Sequence, residues 1–111
     1  MKKQEAFKRF RRYKKIKQPI RGRGVFNLWV ADTDQKKALG LSNLSILPKK
    51  HGMLFVYNHD VDNAFSMKET HIPLTIIFLN KHFEIIDVFK RKPLDNKPVI
   101  SSGKYRYVIE I

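Results

Sequence analysis

Two rhythms of apolar positions divide the chain. Up to residue 24, Phe7, Phe10, Tyr13 and Ile16 recur every third residue in a background of Lys and Arg. At about 100° per residue that spacing drifts round a helix and gives a broad apolar stripe. Good helix formers predict a helix from about Lys3 to Lys17, stopped by Pro19, which biases Gln18 toward extended geometry. Arg21-Gly22-Arg23-Gly24 then reads as a hinge. From Val25 onward the pattern changes to short β-branched and aromatic runs separated by polar turns. Strands are predicted at Val25–Ala31, Met53–Tyr57, Ala64–Met67, Ile72–Leu79, Phe83–Phe89 and Tyr105–Ile111. Asn58–Asn63 and Asn80-Lys81-His82 read as turns, the latter closing a hairpin. One short helix runs through Gln35–Leu39, capped by Asp32 or Thr33 and ended by Gly40. The fold class is therefore mainly β (α+β): a small curved sheet or barrel with one short helix, preceded by an N-terminal arm.

Charge sharpens this division. The 111 residues hold 23 Lys and Arg against 10 Asp and Glu, a net +13. Eleven of the cations fall in residues 1–23, where Glu5 is the one acid. Two units follow: a basic arm over residues 1–24, helical when bound, and a nearly balanced β-domain over 25–111. Cations at this density repel one another until an anionic partner neutralises them. Lys2, Lys3, Lys8, Arg9, Arg11, Arg12, Lys14, Lys15, Lys17, Arg21 and Arg23 are the candidate contacts. Nucleic acid suits them, because Lys and Arg release counterions from phosphates while Phe7, Phe10 and Tyr13 could stack on bases. An acidic surface of a larger protein assembly is the other partner of this chemistry. Anionic membrane and a merely solubilising tail are the remaining readings.

No run approaches the length of a membrane span, and no apolar segment follows the basic start as in a signal peptide. A cytoplasmic or intra-assembly location is the expectation. With no cysteine, thiol nucleophiles, thiolate metal sites and disulfides are excluded. His51, His59, His71 and His82 lack metal-ligand spacing, and read as turn or surface residues. Asn58, Asp60, Asp62, Ser66 and Glu69 match ligand positions 1, 3, 5, 9 and 12 of a calcium loop, but Asn63 stands where glycine is needed and the flanks read as strands. Ser101-Ser102-Gly103 is a turn rather than a nucleophile elbow, and the Arg-Gly repeat lacks a phosphate loop's context. No cofactor or metal is expected. Trp29, Phe55, Phe65, Phe78 and Phe83 read as core.

Gly40-Leu41, Leu47, Gly52-Met-Leu-Phe-Val-Tyr57, Phe65-Ser-Met67 with Thr70, and Ile72-Pro-Leu74 with Ile77-Phe78 follow one another in an order that resembles the DUF192 family. The resemblance covers about residues 25–111. It implies a compact barrel-like β fold with a shallow polar-edged cleft, and no established activity. Its cleft would involve Met53, Phe65, Met67, Thr70, Pro73 and Thr75. Many relatives carry a secretion signal where this chain has its basic segment, and they commonly continue past the position of Ile111 with a Gly-containing tail. The family usually has Trp at the position of Ser66, Asp at that of Thr75 and Met at that of Ser42. With a wall and a carboxylate missing, the expected role is a non-enzymatic binding or assembly protein. Its arm would anchor to nucleic acid or an acidic surface while the β-domain makes protein contacts. High Lys and Ile content fits an AT-rich genome such as many phages have, and hence a minor virion component. The alternative is a small ligand-binding or hydrolytic domain using the cleft near Met67, Thr70 and Thr75.

Overall fold

The apolar run at Val25–Ala31 becomes the second strand of a six-stranded mixed sheet in the computed structural model, which describes residues 4–111. The elements follow as α1 (Glu5–Arg9), β1 (Lys15–Ile20), β2 (Gly24–Ala31), α2 (Asp34–Leu39), β3 (His51–Val61), β4 (Leu74–Leu79), β5 (Ile85–Arg91) and β6 (Tyr105–Glu110). Their order across the sheet is β1-β2-β3-β6-β4-β5. β2 and β3 are parallel, joined by a crossover that carries α2; every other pair is antiparallel. The sheet is open rather than a closed barrel, with β1 and β5 at its edges.

The N-terminal segment departs most from the sequence expectation. The helix predicted to Lys17 is confined to Glu5–Arg9, and Lys15–Ile20 is a strand paired with β2, from Lys15 opposite Trp29 to Ile20 opposite Gly24. Pro19 is compatible with this strand because β1 lies at the sheet edge. The expected hinge is a tight hairpin turn: the Arg23 amide donates to the Ile20 carbonyl at 2.8 Å, and Gly22 and Gly24 take φ of +76° and +95°. Only glycine enters that region without strain, so the two glycines serve the turn. The apolar stripe also has a tertiary use, since Ala6 and Phe10 are fully buried in the main core. Phe10 packs on Trp29 and Tyr13 with ring centroids 5.0 Å apart in each case. The expected unit boundary at residue 24 thus falls within a hairpin whose first strand is part of the sheet.

The sheet buries both faces. One carries Trp29, Ala31, Met53, Phe55, Leu74, Ile76, Phe78 and Val108, covered by α1, Leu41, Leu44, Met67, Ile72 and Val99. The other gathers Leu28, Leu54, Ile77, Leu79 and Ile109 with Ile20. Two other expectations shift. Ala64–Met67 contributes only an isolated bridge between Phe65 and Val99. The polar residues after Tyr57 extend β3 to Val61 instead of turning. Asp60 is held there by Arg106, whose Nη2 and Nε lie 3.0 and 3.1 Å from its Oδ1. The β3–β6 register shifts between Val56 and Val61, where the side-chain alternation is re-set.

Gly52 shows how closely β3 and β6 approach. A Cβ there would collide with the Glu110 carbonyl oxygen and the Ile111 Cγ2 and come within 3.2 Å of Leu28. Because backbone is the main obstacle, relaxation is expensive, and Gly52→Ala should destabilise by about 3 kcal/mol. The check is a shift of the urea midpoint with unchanged slope.

Candidate functional site

Two features outside the core have functional potential: a cationic edge and a cleft.

The edge comes from α1, β1 and the turn after it. Lys8, Arg11, Arg12, Lys14, Lys15, Lys17 and Arg21 are exposed. On β1 the pleat sends Lys15 and Lys17 to one face and Ile16 and Ile20 into the second core cluster. Lys15 Nζ lies 5.3 and 5.4 Å above the Phe7 and Trp29 rings. The salt bridges among the described residues join Lys36, Lys37 and Arg106 to Asp32, Asp34 and Asp60, so no cation of residues 8–23 is paired with an acid. Two of the expected contacts are less free. Arg9 donates from Nη1 to the Ser42 carbonyl at 2.6 Å and stacks over Phe10, and burial lowers its pKa. Arg23 is half-buried. Lys2 and Lys3 lie outside the described residues. The base-stacking expectation fails for Phe10, which is fully buried. Phe7 is edge-on to Trp29 and His51, and Tyr13 is half-buried beneath Lys36 Nζ at 4.8 Å, so both rings already have partners.

The cleft has a volume of about 470 Å³ and lies between α2, the segment 63–70 and the sheet. α2 is set by its caps. Thr33 Oγ1 accepts from the Lys36 amide at 3.1 Å, and Gly40, at φ +50°, ends the helix against the Phe55 ring. From the sheet come Phe55 and Tyr57 on β3 and Glu110 on β6, faced by Phe65 and Thr70. Lys37 from α2 donates to the Val56 carbonyl at 2.9 Å and sits 4.2 Å over the Tyr57 ring.

Glu110 was not among the expected site residues. On β6 it lies in register between Met53 of β3 and Ile76 of β4, both core residues. It is 5% exposed, and its carboxyl has no hydrogen bond or ion pair among the described residues. Burial alone pushes that carboxyl up to about 8, so near neutral pH it holds its proton. Tyr57 is raised too, first by burial, against a hydrogen bond with Tyr105, with the Glu110 charge adding to the rise. The signal in the sequence was the alternation of Tyr105–Ile111, which puts Glu110 on the same face as Val108.

The cleft expected from the resemblance is partly replaced. Phe65 and Thr70 line it, but Met53 and Met67 are fully buried core, and Pro73 and Thr75 lie outside its walls. Thr75 instead continues the sheet, exchanging backbone hydrogen bonds with Ile111. Ser42 and Ser66, two of the three departures from the family pattern, both line the cleft.

Nothing resembling a nucleophile–base pair occurs among the described residues. Ser42 Oγ donates to the Leu39 carbonyl, and Ser66 Oγ accepts from the Lys68 amide. Ser101 and Ser102 hold Asp87, whose carboxyl is lowered by the bonds from Ser102. His71 contacts Asn43 Oδ1 at 3.2 Å, and His51 the Lys49 carbonyl at 2.9 Å. No metal-ligating cluster is present among the described residues, and the calcium-loop spacing starts within the extended β3. No helix is long and apolar enough to cross a membrane among these residues.

No curated protein matches the chain. Two solved structures share the fold. One is a protein from Sinorhizobium meliloti 1021 described as a candidate transcription regulator, 23% identical over 89% of this chain and 81% of its own, with a TM-score of 0.81. The other is a protein of unknown function from Novosphingobium aromaticivorans DSM 12444, 26% identical over 88% and 80%, with a TM-score of 0.73. The family pattern described as "Uncharacterized ACR" matches residues 16–111, beginning inside β1 rather than at Val25. With that match reaching from β1 to the end of the chain, the chain belongs to the DUF192 family.

Proposed function

We propose that this is a non-enzymatic binding protein that docks an anionic partner, nucleic acid in the first instance, on the cationic edge of α1, β1 and their following turn. The observation that carries this reading is the row of seven exposed cations, Lys8, Arg11, Arg12, Lys14, Lys15, Lys17 and Arg21, none paired with an acid among the described residues. Folded onto a sheet edge, several of these charges are already in place, so less ordering entropy opposes binding than for a free tail. The contacts would go to phosphates and position the partner without reading sequence. The rings that could have stacked on bases are largely engaged with the protein.

The test is a salt titration of binding to a labelled duplex and a labelled single strand. The wild type is compared with a variant carrying Gln at Lys8, Arg11, Arg12, Lys14, Lys15, Lys17 and Arg21, all exposed positions. Seven phosphate contacts predict a log–log slope of about −6 on duplex and about −5 on single strand. The variant should bind at least tenfold more weakly, with a slope near zero. Equal binding by the two proteins would discard nucleic acid and leave an acidic protein surface, such as that of a larger assembly, as the partner of this edge.

A further inference from the structure

The cleft over Glu110 is separate from the cationic edge, and the proposed docking makes no use of it. Its composition runs against that of the protein as a whole. In a chain of net charge +13, the buried ionisable group with no partner here is an acid. Lys37, a cation that lines the cleft, is committed to the Val56 carbonyl, the Tyr57 ring and Asp34, 4.0 Å away. Lys68 lines the cleft but is exposed, as is Glu69 beside it. The cleft that Glu110 lines is also lined by three aromatic side chains, Phe55, Tyr57 and Phe65, with Phe65 edge-on to Phe55 at 5.2 Å. A carboxylate beside aromatic faces recognises an organic ammonium: the acid supplies the counter-charge and the rings supply cation–π attraction and apolar contact.

We propose that this cleft binds a small organic cation, a primary amine on a compact apolar body, with the ammonium against the Glu110 carboxyl and the body among Phe55, Tyr57 and Phe65. Binding is coupled to protonation. In the empty cleft Glu110 carries a proton, which the ammonium replaces and which passes to the buffer. Apparent affinity should therefore rise nearly tenfold per pH unit below the Glu110 pKa of about 8 and level off above it. The other titratable groups facing the cleft are Asp34 and Lys37 on α2, Tyr57 on β3, and Lys68 and Glu69 on the segment opposite. The Glu110→Gln titration below tests whether the slope belongs to Glu110.

The probe is benzylamine, with benzyl alcohol as its neutral isostere, in calorimetric titrations of the full chain near pH 6 and pH 7 in buffers of different ionisation enthalpy. The expected result is saturable benzylamine binding that tightens almost tenfold between the two pH values and releases close to one proton, with benzyl alcohol at least tenfold weaker. Glu110→Gln should lose at least tenfold in benzylamine affinity together with the proton release. Equal affinity for the alcohol, an unchanged Glu110→Gln titration or no saturable benzylamine binding by the wild type would each overturn the proposal. The wild-type comparison of amine and alcohol does not depend on how the variant folds.

Discussion

Glu110→Gln should make this protein more stable at alkaline pH, although the residue sits in the core-facing row of the sheet. Burial without a partner raises the folded-state pKa of Glu110 from 4.5 to about 8. Between those values the native state holds a proton that the unfolded chain releases. Stability therefore falls as pH rises through that window: the ionisation cost is absent below the unfolded pKa and fully present above the folded one. A shift of this size corresponds to at most about 5 kcal/mol. Glutamine is isosteric and uncharged, so the variant should lie within about 1 kcal/mol of wild type near pH 5 and exceed it by several kcal/mol near pH 9. Urea unfolding of both proteins across that range is the measurement, and parallel stability curves would mean that the Glu110 carboxylate is solvated or paired. Other shifted groups leave the window clear. Asp87 is lowered, so its contribution is lost only as pH falls below the ordinary carboxylate range, whereas Tyr57 and Tyr105 are raised above that of an ordinary phenol.

The second large effect concerns residues 1–23, which charge alone marks as a detachable arm. A chain beginning at Gly24 should fail to fold. It lacks Ala6 and Phe10, both fully buried, together with the whole ladder between β1 and β2. Trp29 would lose the Phe7 and Phe10 rings, and β2 would become an edge strand. Truncating Phe10 alone to Ala should cost about 3–5 kcal/mol. Removing the strand as well should exhaust a total stability that for most domains is only about 5–15 kcal/mol. Circular dichroism and urea unfolding of the shortened chain and of Phe10→Ala test this. A cooperative transition in the shortened chain close to wild type would restore the arm as a separate unit. Glutamines at the exposed positions of the cationic edge, by contrast, remove charge and leave Phe10 and β1 in place.

Much of the fold was legible because it rests on local rules. Thr33 and Gly40 cap α2 as their side chains and backbone preferences dictate. The apolar runs at Val25–Ala31, Ile72–Leu79 and Tyr105–Ile111 become β2, β4 and β6 with small changes at their ends. The ordered blocks around Gly52–Tyr57 and Phe65–Leu74 sufficed to place the chain in its family. The candidate site was far less legible. Of the six positions expected at the family's cleft, Phe65 and Thr70 line the cleft between α2 and the sheet, Met53 and Met67 lie in the core, and Pro73 and Thr75 lie beyond its walls.

By itself the sequence determined the β class, the caps, the missing thiol chemistry and the concentration of positive charge near the N-terminus, since each follows from residue type and short-range spacing. Tertiary structure alone decided that Lys15–Ile20 is a strand, because a three-residue apolar spacing in a basic background is compatible with helix or strand until β2 offers a pairing edge. It also decided that Glu110 is an acid in a cleft with no ion-pair partner among the described residues. Its neighbours Met53 and Ile76 lie 57 and 34 positions away in the chain, and only the register of three strands brings them beside it.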